Sequence, residues 1–212
     1  MGPQKVAFSI HMSLLCNTSP YFRAAFKGGF YEGASRTLEL PEEDVDLFEH
    51  FQLWLYSGSI LEKHEQAKDI IWDVLIALWI FGESRGIPEL QNTAMDTLID
   101  KTWEMHTLKT HVLPVIYEST PDTSALRQFH IDWMTHKANL TQWLNVPEGP
   151  GKDCYPKQFL FDLSMSLYER SRGTKPVVTD FRTVRSNYHV KALPENPNGQ
   201  ATTTEQRVSP LL

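Results

Sequence analysis

Apolar positions change period several times along the chain, and each change marks an element. Val6, Phe8 and Ile10 alternate with Ala7, Ser9 and His11, the two-residue period of a strand. Met12 to Asn17 then read as a short helical turn. Ser19-Pro20 is a helix start, with Ser19 as cap and Pro20 at the first position. Tyr21, Phe22, Ala25 and Phe26 follow at helical spacing until Gly28-Gly29 ends the run. Thr37-Leu38-Glu39-Leu40 predicts a short strand stopped by Pro41. Glu42, Glu43 and Asp44 suit the positive end of a helix whose core face is Leu47, Phe48, Phe51, Trp54 and Leu55. Gly58 closes it, and a short extended piece runs to Ile60.

Ile70 to Gly82 is apolar nearly all round, which places it in the middle of the fold. Gly86-Ile87-Pro88 is a turn, and Pro88 to about Trp103 predicts a helix with Leu90, Ala94, Leu98 and Ile99 inward. Two more helices are expected over Leu108–Glu118 and Thr123–Lys137, then a loop at Pro147 to Pro150. Phe159–Arg170 is amphipathic through Phe159, Leu160, Leu163 and Leu167. From Gly173 the pattern decays. That tail has four prolines and only Phe181 and Tyr188 as aromatics, so 173–212 is expected to be disordered.

Composition adds a class. The chain has 212 residues, 41% hydrophobic and 22% charged, enough for a sizeable core and too short for several large domains. The net charge of −6 is unevenly placed. Residues 1–102 carry 8 Lys+Arg against 15 Asp+Glu, residues 103–172 carry 7 against 8, and residues 173–212 carry 5 against 3. No basic face suited to phosphate neutralisation emerges, so direct nucleic-acid binding is not expected. Two cysteines, Cys16 and Cys154, make neither a disulfide framework nor a Cys-rich zinc site. The start Met-Gly-Pro-Gln-Lys has no apolar secretory core, and the most apolar run is too short for a membrane span. An intracellular protein, cytoplasmic or nuclear, is the expectation.

With the elements in order, the first hundred residues resemble a BTB/POZ domain of the type abundant in fungi. Phe8-Ser9-Ile10-His11-Met12-Ser13-Leu14-Leu15 resembles that family's strand-to-helix entry. Ser19-Pro20-Tyr21-Phe22-Arg23-Ala24-Ala25-Phe26 resembles its second helix. Gly29-Phe30-Tyr31-Glu32 with Leu38-Glu39-Leu40 resembles the loop into its third strand. Glu43-Asp44-Val45 through Trp54-Leu55-Tyr56-Ser57-Gly58, and then Leu75–Phe81 with Ile87 to Asp96, resemble its closing helices. The resemblance implies an α+β fold, a small sheet flanked by helical hairpins, over 1–102, without the family's usual first strand. An all-α extension over 103–172 and the tail would follow.

The candidate chemistry is sparse. There is no Gly-x-Ser-x-Gly elbow, no Cys-x-x-Cys and no His-Glu-x-x-His. His106/His111 and His130/His136 are five and six apart, off a shared helix face, and read as solvated. Gly28 and Gly33 have phosphate-loop spacing, but Ala34 stands where the lysine is needed. No catalytic residue, cofactor or metal site is expected, and an enzyme of unrecognised type is the remote alternative.

The resemblance instead implies a protein–protein docking or oligomerisation module. BTB adaptors of cullin-RING ubiquitin ligases carry an apolar-x-Glu triplet in the loop where this chain has Phe30-Tyr31-Glu32. A partner surface is thus expected around Phe30, Tyr31, Glu32, Phe48 and Trp54, with a cullin as one candidate partner. Recruitment of transcriptional corepressors is another reading. Met12 and Leu15 are the candidate self-association residues, in a homodimer that the missing strand would weaken.

Overall fold

The structure, a computed structural model of the chain, describes residues 6–29, 31–137 and 155–191. Nine α-helices and one 3-10 helix make up its regular elements among those residues. They are α1 (Met12–Thr18), α2 (Pro20–Lys27), α3 (Tyr31–Ser35), α4 (Val45–Ser57), α5 (Trp72–Arg85), α6 (Pro88–Met105), α7 (Leu113–Ser119), α8 (Ala125–His136) and α9 (Lys157–Ser171). A 3-10 helix, Phe181–Tyr188, ends the series.

Local chemistry sets the helix starts. Ser19 Oγ accepts from the Phe22 amide at 3.3 Å and donates to the Arg85 carbonyl at 2.6 Å, so one hydroxyl caps α2 and ties it to the end of α5. Asp44 caps α4 through the Asp46 amide at 2.9 Å, and Ser124 caps α8 through the Leu126 amide at 3.2 Å. The Arg85 guanidinium lies over the Tyr21 and Phe81 rings and pairs with Glu43, which fixes the entry to α4.

The α5 helix is the centre of the fold, as its all-round apolarity predicts. Leu75, Ile76, Leu78, Trp79 and Phe81 are all buried. It packs chiefly against α6, and Gly82 makes the approach close: a Cβ there would come within 2.9 Å of Gln91 Cγ and 3.2 Å of the Gln91 and Ile87 backbones. Phe22, Phe48, Phe51 and Phe81 cluster on the α4 side, with the Phe51 and Phe81 rings 4.9 Å apart. One apolar core runs from Leu15 to Tyr188, and α6 spans the expected division at 102 without a break.

The expected sheet is overturned. Among the described residues there is no strand. Val6–Ile10 and Thr37–Leu40 adopt no regular secondary structure, and both line a shared groove. Alternation made each a candidate strand, and a ladder needs a partner within hydrogen-bonding distance. The described fold is therefore helical rather than α+β.

Further differences follow from tertiary packing. Tyr31–Ser35, expected as loop, is a helical turn. Leu160 was expected inward, yet it is exposed together with Phe161, Met165 and Tyr168, while Phe159, Leu163 and Ser166 are buried. Expected as solvated, His130 is fully buried on α8. The loop expected at 147–150 lies outside the described residues, as does 192–212. In the described part of the tail, 173–191, the disorder expectation does not hold. This segment is a strap across α6 and α8, with Phe181 and Tyr188 1% and 2% exposed. Two well-spaced aromatics are enough to seat a short segment when a groove is waiting for them.

Candidate protein-docking surface

The α2–α3 junction carries the sequence-predicted site. Gly33 seats α3 tightly on the end of α2, since a Cβ there would stand 2.5 Å from the Phe26 carbonyl oxygen. That seating presents Tyr31 to solvent at 81% exposure, with Glu32 half-buried beside it. Phe30, the third member of the triplet, lies outside the described residues. Arg36, in the left-handed region at φ 55°, turns the chain out of α3.

Residues 36–41 border a groove of about 650 Å³, with Val6–Ile10 also lining it. Its apolar lining includes Phe8, Ile10, Leu15, Phe26, Leu38 and Phe48. The Phe8 and Phe48 rings are 4.8 Å apart. His11 and Tyr56 anchor one end of the Val6–His11 segment. The His11 amide donates to the Tyr56 hydroxyl at 3.1 Å, and that hydroxyl lies 2.8 Å from His11 Nδ1.

The remaining sequence-predicted residues do not share one surface. Phe48 is buried in the groove lining. Trp54 is buried too, and its indole donates to Thr93 Oγ1 at 3.1 Å, facing α6. Both belong to the core face that α4's period already indicated, so neither is presented with Tyr31. Met12 is 39% exposed, whereas Leu15, 8% exposed, turns into the groove.

A second polar arrangement was not singled out from the sequence. Asn92, Asp96 and Asp100 recur every fourth residue on α6, and all three meet the strap. The signal was available as a polar row at every fourth position of the helix. No group of three His, Cys, Asp or Glu side chains among the described residues converges as a metal set. No helix among them is long and apolar enough to cross a membrane.

Comparison with known proteins finds a family match over the residues that form this surface. Residues 3–75 match the family model of the BTB/POZ domain, so the chain carries this protein-interaction module in its first third. The match takes in α1 to α4, the groove and the Tyr31–Glu32 turn. Among curated proteins, a 64-residue stretch is 34% identical to the ARM repeat protein interacting with ABF2 of Arabidopsis thaliana. That stretch is 30% of this chain and 9% of the relative, so the chain spans a small part of the protein it matches.

Proposed function

We propose that the chain is a non-catalytic docking protein whose BTB segment recruits a protein partner through the α3 turn, with Tyr31 as anchor and Glu32 as polar rim. The observation that carries this reading is the exposure of Tyr31 on a turn that Gly33 seats close against α2. An exposed aromatic side chain has a large apolar area to bury on binding at the cost of only two side-chain torsions, which suits an interface anchor. The relative's printed name, a protein interacting with ABF2, supports a binding role for the shared segment. The partner we propose first is a cullin scaffold, which the Phe30-Tyr31-Glu32 triplet favours.

The test is a pull-down of purified cullin with the wild-type chain and the Phe30→Ala, Tyr31→Ala and Glu32→Ala variants. Capture by wild type and a loss of tenfold or more in the variants is the expected result, equivalent to about 1.4 kcal/mol or more at one anchor. Equal capture by all four proteins overturns the role of the turn. No capture by any overturns the cullin assignment.

A further inference from the structure

The strap lies on α6 in an ordered way. Proceeding along α6, Asn92 meets Val190, Asp96 meets His189 and Arg185, Asp100 meets Arg185, and Trp103 meets Arg182. The strap therefore runs antiparallel to α6. Asn92 Oδ1 accepts from the Val190 amide at 2.7 Å and its Nδ2 donates to the Val190 carbonyl at 3.0 Å, side-chain recognition of a backbone. Arg185 reaches Asp100 at 2.9 Å and Asp96 at 3.5 Å. Arg182 stacks over Trp103 at 4.1 Å.

Between these rim contacts two aromatic anchors seven residues apart enter the α6–α8 groove. Phe181 packs against Phe129 and Trp133, its ring 5.8 and 5.5 Å from theirs. Tyr188 lies 5.4 Å from Phe129 and donates to Asp132 Oδ2 at 2.9 Å. Asp132 also pairs with Lys175 at 2.5 Å, where the strap begins. Among the described residues the groove's ion pairs with the strap are all made by carboxylates, Asp96, Asp100 and Asp132, while the cation Lys137 at the end of α8 donates to the Thr179 carbonyl. Each of these carboxylates pairs with a basic strap side chain. The strap's helix is irregular, broken at Val184, so its shape is that of a bound segment rather than of a self-supporting helix.

Two buried aromatic anchors, an arginine held between carboxylates and one backbone amide read by a side chain are the parts of a peptide-recognition groove. We infer that the α6–α8 groove is a docking site for basic, aromatic-anchored peptide segments, and that residues 175–190 are its resident occupant, which a partner segment of the same chemistry displaces. The partner's segment carries an aromatic residue, an arginine four residues on and a second aromatic three further, as Phe181, Arg185 and Tyr188 do. This inference stands independently of the α3 turn.

The test uses the full chain with a specific protease site inserted between Gly173 and Thr174, at an exposed turn. The folded protein is cleaved there and given a fluorescent synthetic peptide of residues 174–191. The expected result has four parts. The two pieces co-elute after cleavage, and the near-UV circular dichroism is retained. The labelled peptide exchanges in, and a Phe181→Ala, Tyr188→Ala peptide binds at least 100-fold more weakly. The uncleaved chain binds the peptide at least 100-fold more weakly than the cleaved one, because its tethered strap competes at millimolar effective concentration. Loss of the near-UV signal on cleavage overturns the inference, since the groove would then not persist without a tethered strap. Failure of the peptide to exchange overturns it as well. A concentration-dependent dimer of the uncleaved chain with exchanged straps overturns the assignment to a separate partner and gives the groove to a second copy.

Discussion

The side-chain amide of Asn92 and the backbone of Val190 exchange two hydrogen bonds, across 98 residues of sequence. An asparagine presents one donor and one acceptor in the plane a peptide group needs, so it substitutes for a neighbouring strand at this point. Asn92→Ala leaves both strap groups unmatched. The expected cost is about 1–3 kcal/mol of unfolding free energy, with faster hydrogen exchange at the Val190 amide than at core helix amides. Asn92→Asp keeps the acceptor and loses the donor, so its effect should be smaller at the amide. Equal exchange in wild type and Asn92→Ala would show that the pair carries no energy.

Phe181 is the deeper of the two strap anchors. Its ring touches Phe129, Trp133 and Tyr188, and it is 1% exposed. Phe181→Ala should cost about 3–5 kcal/mol by denaturant unfolding. Val177→Ala, in the same strap but 67% exposed, should change it by less than about 0.5 kcal/mol. A similar small effect of both substitutions would mean that the strap is not docked in solution.

Acidification should destabilise the fold through His130. Burial pushes its imidazole down from 6.5 to about 4, partly countered by the hydrogen bond to the Leu126 carbonyl at 2.8 Å. Above 6.5 the ring is neutral in folded and unfolded chains alike. Between 6.5 and about 4 the unfolded chain takes up a proton that the folded chain refuses. Stability therefore falls as pH falls through that window, by about 3 kcal/mol in total. His136, also lowered chiefly by burial, acts in the same direction. Denaturant unfolding at a series of pH values should give a shallower slope for His130→Leu than for wild type. Parallel slopes would remove His130 from the account.

The docking turn depends on a glycine for reasons of space. Gly33→Ala places a methyl group 2.5 Å from the Phe26 carbonyl oxygen, a backbone atom that cannot swing aside. The expected outcome is loss of amide protection across 31–35 at a cost of about 1–3 kcal/mol, with protection in α5 and α6 retained. Unchanged protection at 31–35 would show that α3 is not seated on α2 in this way.

Much of the helical framework was legible in the sequence because each start carries its own chemistry. Ser19-Pro20, Asp44 and Pro88 announce helices that need no tertiary context, and α4's buried face was correct residue by residue. The sheet was misread because alternation in Val6–Ile10 describes a segment that can pair, while pairing itself depends on where another backbone lies. Phe48 and Trp54 were placed in the core by periodicity and on a surface by resemblance, and periodicity was the better guide. The strap was missed for the opposite reason. Its two aromatics are too few to pattern, and the strap's polar partners Asn92, Asp96 and Asp100 lie far away in sequence. Tyr31–Ser35 was expected as a loop, and its helical turn seated on α2 was not foreseen, since nothing in Gly33 announces the carbonyl it must clear.

The antiparallel course of the strap along α6 also decides how the chain yields to force. Tension applied from residue 191 onward loads the contacts in series. Val190 leaves Asn92 first, His189 and Arg185 then leave Asp96 and Asp100, and Arg182 leaves Trp103 last. A line of contacts opened one at a time offers far less resistance than the same contacts sheared together. A C-terminal pull would thus unzip the strap and bare an acid-rimmed aromatic trough while α5, at the centre, bears almost none of the load.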